Sequence, residues 1–195
     1  GMNFKVRPGE SVALVGPTGA GKTTVINLIS RFYDIASGHV LIDGHEVNRV
    51  TLHSLRSQMG IMMQDSFIFS GDIRENIRYG KLDATQEEIE RAAKTVRADE
   101  FIHSMERGYD TPVNERGSRL SQGQKQLISF ARTLISDPKI LILDEATSSI
   151  DTKTERLMQE GINQMLKGRT SFIIAHRLST IKNCDRIMYI DDGRI

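Results

Sequence analysis

The sequence predicts an α/β fold: a core with a parallel sheet, an antiparallel β portion near the N-terminus, and an inserted α-helical portion. Three observations predict it. Short strand-like runs at Ser11–Val15, Ile140–Leu143, Ser171–Ala175 and Arg186–Ile190 alternate with helical patterns. Ile140–Leu143 is continuously apolar, as a parallel strand buried on both faces requires. The stretch from Asp72 to Ile135 separates the first strand from the others and is mostly helical in pattern.

The elements follow in order. Asn3–Val6 and Ser11–Val15 have strand patterns on either side of a Pro8-Gly9 turn. A Gly-rich loop covers Gly16–Thr23, and Thr24–Phe32 has a helical pattern. His39–Ile42 and His45–Val47 flank Asp43-Gly44, a hairpin signal. Ile61–Met63 is a short apolar run that ends at Gln64. Thr85 and Glu88 form a capping box, followed by Ile89, Ala92, Ala93 and Val96 at helical spacing. Phe101, Ile102 and Met105 suit a short helix closed near Gly108, and Thr111–Ser118 has the composition of a polar loop. Leu120–Ile135 begins with polar residues and continues as an apolar-periodic helix; Thr154–Leu166 is a further helix.

Bulk properties bound the function. The chain has 195 residues, 38% apolar and 26% charged, an ordinary globular composition. Its net charge of +1 gives no electrostatic footprint for nucleic acid. The apolar runs are far too short to span a bilayer, and no signal peptide is expected without an apolar N-terminal region. Cys184, the single cysteine, fits a reducing compartment and a small packed side chain better than a reactive thiol. Both ends look cut, Gly1-Met2 suggesting a cloning remnant, so an excised domain is expected.

"GPTGAGKTT" spans Gly16, Pro17, Thr18, Gly19, Ala20, Gly21, Lys22, Thr23 and Thr24, and matches G-x-x-x-x-G-K-[ST] between a strand and a helix. Glycines let backbone N–H groups form a nest around phosphate oxygens, and the helix N-terminus adds unpaired donors. Lys22 can reach the β- and γ-phosphates, and the Thr23 hydroxyl can ligate Mg²⁺. The expected core is therefore that of a P-loop nucleotide hydrolase. Asp144 ends the buried strand, where it suits a second partner of Mg²⁺; Glu145 follows, placed to accept a proton from an attacking water. Gln64 and His176 each follow an apolar run, which puts them at the same carboxyl edge of the sheet. His39, His45, His53 and His103 are read as structural.

Ser121 and Gln124 also form a capping box, with Gln122 and Gly123 between them. The box does not explain Gly123, because Gly inside a helix costs about 1 kcal/mol relative to Ala. A second anion site at this helix tip would explain it.

Taken together, these stretches resemble the nucleotide-binding domain of ABC transporters over essentially the whole chain. "GPTGAGKTT" looks like Walker A and "MMQDSFIFSGDIRENI" like the Q-loop segment of exporters. "LSQGQ" looks like the signature, "ILILDEATSSID" like Walker B with the D-loop, and "IIAHRLST" like the switch-histidine region. The resemblance implies one domain over 1–195, with an ATPase core and β subdomain at 1–70 and 136–195 and a helical signature subdomain at 71–135. It implies the motor of an exporter, with ATP and Mg²⁺ as cofactors and a transmembrane domain as partner. The location implied is the cytoplasmic face of the cell membrane. Two nucleotide-binding domains would pair head to tail, each ATP lying between Walker A of one and the signature of the other. Lys22, Thr23, Asp144 and Gln64 would hold Mg-ATP, Glu145 would be general base, and His176 would contact the γ-phosphate. Ser121 and Gly123 would reach the γ-phosphate bound to the partner, with Gln122 and Gln124 beside them, and Asp151 would couple the two sites.

Three departures stand out. Gln122 replaces a glycine of the usual signature, though Ser121 and Gly123 are kept. Pro112 and Asn114 differ from the usual residues of the loop before the signature. None of Tyr33, Tyr79, Tyr109 or Tyr189 matches the adenine-stacking aromatic that exporters carry upstream of the first strand, so weak ATP binding is expected. The competing readings are a soluble relative of DNA repair or chromosome maintenance, and a P-loop GTPase. The former carries a long coiled coil, but no sustained heptads appear. The latter needs an N-K-x-D motif, and "KNCD" has the wrong order.

Overall fold

The computed structural model describes residues 1–145 and 150–195, except for the side chain of Glu115. In chain order the elements are β1 (Ser11–Val15), α1 (Lys22–Ile29), β2 (Leu41–Ile42), β3 (His45–Glu46), α2 (Leu52–Arg56), β4 (Met59–Met62), β5 (Gly71–Asp72) and α3 (Ile73–Arg78). There follow α4 (Gln86–Thr95), α5 (Asp99–Ser104), β6 (Pro112–Val113), α6 (Gln122–Ile135), β7 (Ile140–Asp144), α7 (Thr152–Leu166), β8 (Thr170–Ile174), α8 (Leu178–Lys182) and β9 (Arg186–Tyr189). The chain forms two compact units: residues 1–61, 138–145 and 168–195, and residues 62–137 with 146–167.

The first unit is organised by a five-stranded sheet in the order β4-β7-β8-β1-β9. β7, β8, β1 and β9 are parallel neighbours, as expected of apolar strands joined through helices. The register sets Leu14, Ile174 and Asp144 abreast, because Leu14 and Asp144 both pair with Ile174. The carboxyl ends of β1, β8 and β7 therefore finish at one level, the edge where open α/β sheets place ligands. Beneath it, Val12, Leu14, Ile142, Phe172 and Ile174 pack against Val25, Ile26 and Ile29 of α1. Asp43 and Gly44 both have positive φ, 51° and 80°, and turn β2 back on β3 as a hairpin.

The strand expected at Asn3–Val6 does not form. Its alternation instead reports packing: Phe4 and Val6 lie against the core, while the Lys5 carbonyl accepts from Arg186. α1 begins two residues earlier than the periodicity suggests, because the loop runs straight into the helix through Gly21, at φ 108°.

The second unit is built on α6. Its buried face carries Leu127, Ile128, Phe130 and Ala131, and α3, α4 and α7 pack against it. The capping boxes at Thr85 and Ser121 are both formed, and Asp151 caps α7 by accepting from the Thr154 N–H at 3.0 Å. The stretch expected as a polar loop at Thr111–Ser118 contributes β6, which pairs antiparallel with β5 and buries Val113. That pairing joins residues some forty positions apart, so no local pattern announces it. Among the described residues, no helix is long and apolar enough to cross a membrane.

Candidate nucleotide site

The first unit gathers the phosphate loop, Asp144, Glu145 and His176 at the carboxyl edge of the sheet. Gly16 leaves β1 at φ 147°, where a Cβ would overlap the Ile190 carbonyl oxygen. Only glycine lets the loop pass so close to the end of β9. Gly19 and Gly21 also have positive φ, 81° and 108°. The Gly193 N–H donates to the Ala20 carbonyl at 2.9 Å and pins the far side of the loop.

α1 has no side-chain cap and no acidic residue in its first turn. Most of the longer helices are capped by side chains, so the N–H groups and positive dipole end of α1 remain for an anion. Lys22 folds its ammonium back onto the carbonyls of Gly16 and Pro17, at 2.6 and 2.8 Å, directly over the loop. Pro17, Thr18, Gly19, Thr23 and Thr24 are exposed and accessible to a ligand. This arrangement fits a polyphosphate: glycine backbone, an uncapped helix tip and a cation in one place.

Asp144 is almost fully buried, and burial pushes its carboxyl above the usual range, with His176 and Lys22 pulling the other way. The His176 Nε2 lies 3.9 Å from Asp144 Oδ1, and the His176 side chain is open to solvent. A carboxylate kept in place despite its desolvation, beside a phosphate loop and the exposed Thr23 hydroxyl, fits a divalent cation as its neutralising partner.

Glu145 is buried and held at both oxygens. Its Oε2 accepts from the backbone N–H groups of His176 and Arg177, at 2.8 and 3.0 Å. Its Oε1 accepts from the Thr180 hydroxyl at 2.7 Å and lies 3.6 Å from Arg177 Nη1. Thr180 and Arg177 were not singled out by sequence reasoning. Both stand in the motif that carries His176, but nothing local says that a threonine four residues on reaches a glutamate thirty-five residues back. The Cys184 thiol is pushed up to about 11 by burial, so it carries little thiolate at neutral pH.

The remaining candidates belong to the second unit. Gln64 follows β4. The segment after it is tied down: Arg132 donates to the carbonyls of Phe67 and Asn76, at 2.7 and 2.8 Å, and lies over the Phe69 ring. Burial brings that guanidinium down to about 10. Ser121 accepts from the Gln124 N–H at 3.1 Å, and the Gln124 side chain accepts from the Ser121 N–H at 3.0 Å. Gln122 lies between them at the helix start. Gly123 has a structural reason of its own: a Cβ there would overlap Thr154 Cγ2 of α7 and come within 3.3 Å of Ile150. Close helix packing therefore gives glycine a reason at this position beside the anion reading. Within "ILILDEATSSID", Ala146–Ser149 lie outside the described residues.

Comparison with known proteins agrees in kind. The model of the ABC transporter family matches residues 1–148. An uncharacterized ABC transporter ATP-binding protein of Bacillus subtilis, YfiC, is 55% identical across the whole chain, which covers 32% of that protein. A fatty acid ABC transporter ATP-binding/permease protein of Mycobacterium bovis is 49% identical, again across the whole chain and 31% of its own length. A solved structure of a bacterial Atm1-family ABC exporter with ATP bound superposes with a TM-score of 0.91 at 46% identity, covering 100% of this chain and 34% of that one. The chain thus spans about a third of the length of the relatives it matches.

Proposed function

Since the chain belongs to the ABC transporter family, we propose that it is the ATP-binding and ATP-hydrolysing motor of an exporter. One observation carries this: the register of β7, β8 and β1 delivers an acid, a histidine and a phosphate loop to one edge. The likeness to an exporter with ATP bound supports it over a DNA-repair or chromosome-maintenance ATPase.

In this reading the N–H groups of Gly16–Thr24 and the Lys22 ammonium hold the phosphates. Thr23, Asp144 and Gln64 hold Mg²⁺, which when bound neutralises phosphate charge. Glu145 takes the proton of the attacking water, and His176 orients the terminal phosphate. Ser121 and Gly123, with Gln122 and Gln124, complete the site of a second nucleotide-binding domain paired head to tail, and Asp151 couples the two sites. Residues 1–70 and 136–195 form the ATPase core and residues 71–135 the signature part. A transmembrane domain is the other partner, which places the motor at the cytoplasmic face of the membrane.

The test is single-turnover hydrolysis and nucleotide affinity of Glu145→Gln. Loss of a general base costs about 10²–10⁴-fold in rate, so turnover falls by that order while ATP binding is retained. Turnover near the wild-type rate would remove Glu145 from the chemistry.

A further inference from the structure

Glu145 is placed as a base, yet both of its oxygens are already hydrogen-bonded. A carboxylate offers about four acceptor positions. Here Oε2 takes two backbone N–H groups, and Oε1 takes the Thr180 hydroxyl with the Arg177 guanidinium nearby. A base must come within about 2.6–3.2 Å of the proton it removes. Three acceptor positions of Glu145 carry hydrogen bonds, and Oε1, which takes only one of them, also has the Arg177 guanidinium 3.6 Å away. The two oxygens are not held alike: Oε2 is fixed by backbone, Oε1 by side chains.

We propose that the Thr180 hydroxyl is a positioning residue that keeps Glu145 in a resting arrangement, and that hydrolysis requires the Thr180–Glu145 hydrogen bond to open. Thr180 is fully buried on α8, so no water competes for its hydroxyl. α8 begins directly after Arg177, its N-cap, and His176 precedes that. The segment that reads the terminal phosphate through His176 is thus the segment that carries the latch. When the His176 side chain engages a phosphate while the backbone N–H groups of His176 and Arg177 stay on Oε2, α8 tilts about its Arg177 N-cap and draws Thr180 off Oε1. The base is then uncovered only when nucleotide is in place, which suppresses idle proton transfer. This inference rests on the reading of Glu145 as general base.

The experiment measures kcat, KM and ATP affinity of the full chain for the wild type, Thr180→Val, Thr180→Ser and Thr180→Val with Glu145→Gln. A hydrogen bond to a charged group contributes at least about 1.5 kcal/mol, and about 1.4 kcal/mol corresponds to tenfold. Thr180→Val is expected to raise kcat by about that factor with KM and ATP affinity unchanged. Thr180→Ser, which keeps the hydroxyl, retains the slow rate, and Glu145→Gln erases the gain. Should the valine variant fail to fold, Arg177→Gln opens the same oxygen from its other side and raises kcat in the same direction. A folded Thr180→Val chain that binds ATP normally and turns over at or below the wild-type rate would overturn the latch. A wild-type rate insensitive to Glu145→Gln would overturn it too, and would locate the failure in the general-base reading.

Discussion

Asp185 ties the start of β1 to the loop before β9. Its Oδ2 accepts from both the N–H and the hydroxyl of Ser11, at 2.8 and 3.0 Å, and the Ser11 hydroxyl accepts from the Asp185 N–H at 2.9 Å. These bonds hold its carboxyl below the usual range. A depressed acid contributes stability above its unfolded value and loses it as pH falls through the folded one. Unfolding free energy followed against pH is therefore expected to fall on the acid side, from about pH 5 downward. Asp185→Asn flattens that limb and converges with the wild type at the lowest pH; identical slopes would refute the assignment. Asp144 works in the opposite sense. Its carboxyl is raised by burial, so its contribution is greatest when protonated and declines as pH rises. A buried acid that opposes folding is consistent with the proposed role of Asp144 at a bound cation.

Between elements, α6 and α7 meet through Gly123 and Thr154. Gly123→Ala raises helix propensity yet forces a methyl group into Thr154, and overpacking typically costs about 1–3 kcal/mol. Thr154→Ala removes the obstructing Cγ2. Denaturant unfolding of the cycle should show Gly123→Ala destabilised alone and restored in the double variant, a coupling that independent sites lack. The stable double variant then separates the two reasons for glycine: full ATP turnover assigns Gly123 to packing, and lost turnover adds an anion contact. What was legible in the sequence follows the same division. The capping boxes at Thr85 and Ser121, the Asp43-Gly44 hairpin and the buried strand β7 depend on neighbours in sequence, and all are present. The β5–β6 ladder, the Gly123–Thr154 contact and the Thr180–Glu145 bond join distant residues. Motif spacing pointed to the phosphate loop and Asp144 but could not say that both oxygens of Glu145 are hydrogen-bonded.

Across the whole molecule, the proposed motor needs two chains for each site. The phosphate loop, Asp144, Glu145 and His176 belong to one unit; Ser121 and Gly123 stand at the start of α6 in the other. In the head-to-tail reading, each nucleotide takes the first group from one chain and the second from its partner. Lys22→Ala removes the phosphate cation, and Ser121→Ala removes the signature hydroxyl. Each variant alone lacks an intact site, whereas a mixed pair retains one with both groups. ATP turnover of the mixture, measured where mixed dimers are shown to form, is expected to recover well above either variant and to remain below the wild type. Mixed dimers that stay as inactive as the separate variants would contradict a site shared between two chains.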